Sequence, residues 1–166
     1  MIAYIDECKA KRYVFVLHLV DPKDQTRLRR HLTEKLMHGQ RSIHFRKESP
    51  RRRKHLVKEF LGANFKVVIF QETSTNSFPS RSKIIRAIHE HTLELGVTEL
   101  VFELDETDVV HDSRLLSNLH SSIRWDHRLR NQEPLLWVAD AVAWCVNRGG
   151  EWERMVRPMI VQTIDC

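Results

Sequence analysis

The chain has 166 residues and 42% apolar content, enough to bury a hydrophobic core, and we expect one domain covering residues 1–166. Its 27 basic and 22 acidic side chains give a formal net charge of +5, which suits an anionic partner such as nucleic acid but does not require one. Three cysteines without metal-ligand spacing argue against a disulfide framework and favour the reducing cytoplasm. No apolar stretch reaches the ~20 residues of a membrane span, and no signal peptide opens the sequence, so no membrane association is expected.

The first predicted elements are a hairpin and a helix. Residues 1–8 and 13–20 have the length and apolar content of strands, and a short polar link joins them. We therefore expect them to pair antiparallel. A helix is predicted from Asp21 to Gly39, because a capping residue and a proline precede leucines at every fourth position.

The remaining predicted elements alternate between strands and helices. The strands are expected at residues 41–45, 65–70, 99–104 and 123–127, and the helices at residues 49–62, 80–95, 113–120 and 134–147. The final helix should end at the glycine pair 149–150. Strands separated by helices imply parallel crossovers, so the sequence predicts an α/β sheet that begins with an antiparallel hairpin and continues with parallel strands.

Three acids interrupt apolar segments that lie far apart in the chain. Asp6 lies in the first strand, Glu103 in the strand at 99–104, and Asp140 in the apolar final helix. Side chains alternate between the faces of a strand, so either Asp6 or its neighbour Glu7 must point to the apolar side. An ionised carboxylate in apolar surroundings costs several kcal/mol unless it is paired or binds a metal. A metal site assembled by the fold would remove this cost.

Two of these acidic segments resemble a known family. The sequences Tyr-Ile-Asp-Glu-Cys at 4–8 and Pro-Leu-Leu-Trp-Val-Ala-Asp-Ala-Val-Ala at 134–143 resemble a large family of small bacterial domains of unknown function in the ribonuclease H-like superfamily. Members open with a strand ending in Asp-Glu-Ser and carry an Ala-Asp pair in the final helix. The segment Ile-His-Phe-Arg-Lys-Glu-Ser-Pro at 43–50 is similar to a motif of actinobacterial-type members. The resemblance covers most of the chain and implies a ribonuclease H-like mixed sheet flanked by helices.

The resemblance also implies two-metal hydrolysis of phosphodiester bonds in RNA or DNA. Mg²⁺ and Mn²⁺ prefer oxygen ligands, and two such ions about 4 Å apart can activate a water and stabilise the leaving oxygen. By this analogy Asp6 would bridge the ions and Asp140 would bind one of them. For the remaining ligand, Glu103 in its apolar strand and Glu48 before a predicted helix are favoured over Glu72, which falls at the polar end of its strand. The supporting catalytic candidates are Glu7, His44 and Glu48.

Each candidate also has a structural explanation. Asp6 could form a hydrogen bond to the hairpin turn, and Asp140 could form a buried ion pair with Arg124 or Arg128. Glu103 could lie at a solvated strand end, and His44 could be an ordinary strand residue. Glu48 could interact favourably with a helix dipole. The sequence leaves both sets of explanations open.

A basic run provides the candidate contacts to nucleic acid. Arg51, Arg52, Arg53 and Lys54 open a helix, although cations are unfavourable at that end of the helix dipole. Binding of a phosphate would explain the position, and a solvated basic face is the alternative. Arg128 is a further candidate contact to phosphate.

The leading hypothesis is therefore a metal-dependent nuclease. The second is a catalytically degenerate module of the same fold that binds nucleic acid or another partner, and it is favoured because Cys8 and Lys9 stand where the family usually has serine and glycine. A third is a hydrolase of small phosphate esters that uses the same metal pair.

Overall fold

The computed structural model describes residues 1–72 and 78–166. Its strands, in chain order, are β1 (Ile2–Lys9), β2 (Tyr13–Val20), β3 (Val67–Glu72), β4 (Glu99–Glu103), β5 (Arg124–Arg128) and β6 (Ile160–Asp165). They form a sheet with the order β5-β4-β1-β2-β3-β6. β2 is antiparallel to both of its neighbours, whereas β1, β4 and β5 are mutually parallel and β6 is parallel to β3. The expected hairpin and mixed sheet are thus confirmed.

Helices cover both faces of this sheet. In the described part of the chain they are α1 (Gln25–Thr33), α2 (Pro50–Gly62), α3 (Phe78–Glu94), α4 (Val109–Asn118), α5 (Leu136–Arg148) and α6 (Gly150–Val156). The start of α2 is capped as its sequence predicts, because the Ser49 hydroxyl accepts a hydrogen bond from the Arg52 N–H and Pro50 occupies the first helical position.

Alternation along β1 divides the core into two layers. Ile2 and Tyr4 belong to the apolar cluster formed with α1, α2, α5 and α6, whereas Ala3 and Ile5 belong to the cluster formed with α3 and α4. Helix α5 packs directly across β1 and β2. Its central position explains why ten of its thirteen residues are buried and why its sequence is apolar on almost every side.

Residues 41–45 do not form the predicted strand. The segment leads into a short 3₁₀ turn (Phe45–Lys47), and the side chains of Ile43 and Phe45 are fully buried. The side chain of Arg53 donates hydrogen bonds to the carbonyl oxygens of Phe45 and Arg46. The segment therefore has apolar residues suited to a strand, but its carbonyls are satisfied by an arginine instead of a neighbouring strand.

Two further expectations about topology were wrong. The strand at 65–70, observed as β3, pairs antiparallel with β2 rather than through a parallel crossover. Helix α5 is not the last element, because Gly149, at a φ of +74°, ends it and α6 and the edge strand β6 follow. Four of the six residues of β6 are exposed, so its sequence does not need a regular apolar pattern.

No helix in residues 1–72 and 78–166 combines the length and the apolarity that crossing a membrane requires.

Candidate functional site

The three acids that interrupt apolar segments lie together in the structure. β1 and β4 are parallel neighbours in which Ile5 pairs with Phe102, so the next residues, Asp6 and Glu103, stand side by side where β4 ends, while β1 continues to Lys9. Helix α5 crosses the same face of the sheet and brings Asp140 to this end. The convergence expected from the sequence is therefore present, although the three residues come from three separate elements.

Arg130 lies between these carboxylates. Its guanidinium donates two hydrogen bonds to Glu103, from Nε at 3.0 Å and from Nη2 at 2.8 Å. The Asp6 Oδ2 atom is 3.7 Å from Nη2, and the Asp140 Oδ2 atom is 3.6 Å from Nη1. The partner of Asp140 is thus a loop arginine and not Arg124 or Arg128, which the sequence had offered as alternatives.

The electrostatics of the cluster show an excess of negative charge. Burial, together with repulsion from Glu103 and Asp140, raises the pKa of Asp6 well above its ordinary value. Burial raises the pKa of Asp140 to about 6, although Arg130 and the hydrogen bond from the Phe45 N–H oppose the shift. One guanidinium is therefore not enough to compensate the buried carboxylate of Asp6 and the half-buried carboxylates of Glu103 and Asp140.

Two buried polar atoms of the cluster lack hydrogen bonds. Among the residues that the structure describes, neither Asp6 Oδ2 nor Arg130 Nη1 has a hydrogen-bond partner. Buried polar atoms are rarely left unpaired, and an oxygen without a donor inside a group of carboxylates suits coordination of a cation.

The donor set fits a hard divalent ion, but the arrangement does not yet form a coordination shell. Carboxylate oxygens are the ligands that Mg²⁺ and Mn²⁺ prefer. As the side chains of the described residues stand, however, no group of three or more His, Cys, Asp or Glu is placed to hold a metal ion. Since Arg130 contacts all three carboxylates, an ion that binds them together would have to displace this side chain.

A cleft of about 400 Å³ opens beside the carboxylates. Residues from β1, β4, α5 and the turn before α2 line it, including Asp6, Glu103, Asp140, His44, Arg46 and Trp144. Its volume lies within the range of sites that take small organic groups. The carboxylate cluster is therefore open to a substrate.

His44 faces this cleft but is not part of a strand. It precedes the turn at Phe45–Lys47. Burial and the nearby positive charge of Arg130 lower the pKa of His44 to about 4, so the imidazole is neutral at pH 7 and is a weak base.

Glu7 and Glu48, the other two supporting candidates, already have partners. The Glu7 carboxylate pairs with Arg81 and Lys9 and accepts a hydrogen bond from the Tyr13 hydroxyl at 2.6 Å. The Glu48 carboxylate accepts a hydrogen bond from Gln40 and does not line the cleft. Neither residue therefore joins the carboxylate cluster.

Most of the predicted phosphate contacts are bound within the protein. The Arg52 guanidinium donates to the Lys35 carbonyl oxygen, and Arg53 binds two backbone carbonyls while its guanidinium lies 4.3 Å from the Trp144 ring centroid. Arg128 pairs with Glu99, Asp126 and Glu133. Only Arg51 and Lys54 of this set are exposed, and Lys54 lies 3.5 Å from Glu151.

Arg130 and Arg46 are two charged residues of the cleft that the sequence does not single out. Arg130 lies in the polar loop between β5 and α5, where nothing in the local pattern separates it from a solvated residue. The sequence signal for Arg130 is indirect, because three acids in apolar segments require a cation but do not identify the residue that supplies it. Arg46 lies within the segment at 43–50, where the local pattern does not mark it as a residue of the site.

The comparisons with known proteins bear on the fold. The structure is similar to that in "Structure of the PCNA:RNase HII complex from Archaeoglobus fulgidus", with a TM-score of 0.57, 20% sequence identity, and coverage of 94% of this chain and 75% of that one. No protein-family model matches the sequence, and no curated protein matches it significantly. At this identity the similarity shows the architecture alone. The chain has the ribonuclease H-like α/β fold, a mixed sheet flanked by helices on both faces.

Proposed function

We propose that this protein is a metal-dependent nuclease that hydrolyses phosphodiester bonds of RNA or DNA. The observation that carries the proposal is the convergence of Asp6, Glu103 and Asp140 beside an open cleft, with one carboxylate oxygen left without a donor. Under this proposal the chain belongs to the family of small bacterial domains that its Tyr-Ile-Asp-Glu-Cys and Ala-Asp segments resemble. The reducing cytoplasm suits its free cysteines, which are Cys8, Cys145 and Cys166.

The three carboxylates would hold Mg²⁺ or Mn²⁺. The bound ions would supply an activated water and stabilise the leaving oxygen. Asp6 is best placed to contact more than one ion, because it lies on a central strand with a free oxygen. The second oxygen of Asp140 would be the ligand, since the Phe45 N–H already binds Oδ2 at 2.8 Å and fixes the carboxylate.

Other residues of the cleft would handle the substrate. His44 is neutral at pH 7 and lines the cleft, where it could hold the attacking water by a hydrogen bond. Arg46 is exposed at the edge of the cleft, where its charge could contact a phosphate. Arg46 therefore replaces Arg52 and Arg53 in the proposal, because those two side chains hold backbone carbonyls.

The second candidate function is a catalytically degenerate module that binds nucleic acid or another partner without cleaving it. The observation that favours it is the position of Arg130, which already supplies a positive charge where an ion would bind. The Cys8-Lys9 turn beside the cleft is a second difference from the family pattern.

The substitution Asp140→Asn separates these two functions. Asparagine keeps the shape and the oxygen that accepts the Phe45 hydrogen bond, so the fold should persist. Cleavage of single- and double-stranded RNA and DNA with Mn²⁺ should fall by at least about a hundredfold, since a ligand charge is lost. Glu106→Gln is the matched control, because Glu106 is an exposed acid that does not line the cleft, and this variant should cleave at the wild-type rate.

Metal binding provides an independent measurement. Millimolar Mn²⁺ should raise the melting temperature of the wild type, because a ligand that binds only the native state stabilises it, and the rise should be smaller for Asp140→Asn. If wild-type protein binds oligonucleotides but cleaves none of them with Mn²⁺ or Mg²⁺, the nuclease proposal is wrong and the degenerate module remains.

A further inference from the structure

The contacts of Arg130 are uneven. It makes two hydrogen bonds to Glu103, but its distances of 3.7 Å to Asp6 and 3.6 Å to Asp140 are those of ion pairs without hydrogen bonds. Its Nη1 atom, although buried, has no hydrogen-bond partner among the described residues. Arg130 thus holds the carboxylates by charge at positions that leave capacity for coordination on both Asp6 and Asp140.

The anchoring of the Arg130 backbone differs from that of its side chain. The Trp137 Nε1 atom of α5 donates a hydrogen bond to the Arg130 carbonyl oxygen at 2.8 Å, which ties the loop to the helix. The guanidinium lines the open cleft, and 15% of the side chain is exposed. Rotation about side-chain bonds could therefore carry the guanidinium into the cleft without unfolding the loop.

We propose that Arg130 is a positioning residue that holds Asp6, Glu103 and Asp140 together until a divalent cation displaces its guanidinium from between them. This inference rests on the proposed metal-dependent function and adds that arginine and metal compete for one place. The carboxylates are kept close while no ion is bound, and the displaced guanidinium remains beside the cleft. Metal affinity is accordingly lower than three carboxylates alone would give.

The experiment measures Mn²⁺ affinity by isothermal titration calorimetry, which does not depend on activity. The variants are Arg130→Gln, which removes the charge, and Arg130→Lys, whose single ammonium cannot bridge three carboxylates. Arg114→Gln is the matched control, because it removes the same charge from an exposed position on α4, a helix on the other face of the sheet.

Arg130→Gln should bind Mn²⁺ more than about tenfold more tightly than the wild type, because the ion no longer has to displace a guanidinium that makes two hydrogen bonds and two ion pairs to the carboxylates. Arg130→Lys should show a smaller gain, and Arg114→Gln none. Without metal, Arg130→Gln should melt at a lower temperature than the wild type, because its carboxylates repel one another. A purely structural role for Arg130 predicts the opposite change in affinity, since a disordered site would bind the ion more weakly.

The outcomes distinguish this inference from the function on which it rests. If wild type binds Mn²⁺ and both Arg130 variants bind no more tightly, the competition is refuted and the metal site stands. If wild type and all variants fail to bind Mn²⁺, both proposals fall. If Arg130→Gln does not fold in the absence of metal, the Mn²⁺ affinity of Arg130→Lys decides. Tighter binding than the wild type supports the competition, and equal or weaker binding refutes it.

Discussion

Acidification should destabilise the fold through His18, a buried imidazole beneath the start of α5. His18 has 0% exposure, and its Nδ1 atom lies 2.9 Å from the Leu135 carbonyl oxygen, so Nδ1 carries the proton and donates it. Its Nε2 atom has no hydrogen-bond partner among the described residues. Burial lowers the pKa of His18 from 6.5 to about 4. The imidazole is thus neutral in the native state at any pH above this value.

The sign and the size of the effect follow from this shift. Between about pH 6.5 and about pH 4 the unfolded state binds a proton at His18 and the native state does not, so stability falls as pH decreases through this window. A shift of about 2.5 pKa units corresponds to about 3 kcal/mol. The loss is fully developed below the native pKa, and the contribution of His18 to stability is complete above the unfolded pKa.

The assay compares urea unfolding of wild type and His18→Asn across this pH range. Asparagine keeps a donor for the Leu135 carbonyl but does not titrate, so the effects of all other groups cancel in the difference. Wild type should lose about 3 kcal/mol more than the variant between about pH 7.5 and about pH 4. If the two proteins lose stability in parallel, His18 is either protonated in the native state or free of the burial cost, and the reasoning is refuted.

Two further predictions concern side chains that hold the site in place. Asn147 on α5 accepts hydrogen bonds from the Lys11 and Arg12 N–H groups and donates to the carbonyl oxygens of Cys8 and Arg12. Asn147→Ala should therefore reduce the free energy of unfolding by about 3 kcal/mol. The control Asn131→Ala, at an exposed position, should not change it. Equal urea midpoints would contradict this role. Arg53→Ala should reduce the free energy of unfolding by about 2 kcal/mol in the same assay, because the carbonyls of Phe45 and Arg46 lose their donor. Arg51 is exposed, so Arg51→Ala should leave the free energy of unfolding unchanged and reduce the salt dependence of nucleic-acid binding. A salt dependence altered only by Arg53→Ala would reverse these assignments.

The parts of the fold that the sequence predicts well are those with a local cause. The hairpin follows from two apolar runs and a short link, and α2 follows from Ser49 and Pro50 at its start. Asp140 is conspicuous because an acid inside an almost entirely apolar helix needs a partner. Each of these signals is contained in one short, continuous stretch of the sequence.

The features that sequence reasoning missed depend on contacts between distant segments. Arg130 becomes a partner of Asp6 only because β5 lies beside β4 and β4 beside β1. The segment at 41–45 has the apolar residues of a strand, and only the contact of Arg53 with the Phe45 carbonyl shows that no sheet neighbour is needed. β6 has little apolar pattern because it is an edge strand, held by its backbone pairing with β3.

Asp6 and Glu7 show how differently the fold treats two adjacent acids. On one face, Glu7 has Arg81, Lys9 and the Tyr13 hydroxyl as partners, and the same Arg81 donates to Asp112. Burial opposes ionisation of Asp112, yet its hydrogen bonds lower its pKa.

On the other face, Asp6 shares one guanidinium with two further carboxylates, and its pKa is raised. The protein can therefore compensate a buried carboxylate fully, and it does so for Asp112. Incomplete compensation at Asp6 means that the folded state carries repulsion that a divalent cation would remove. This difference between Asp112 and Asp6 favours a functional origin for the cluster, because a purely structural core gains nothing from an incompletely compensated carboxylate.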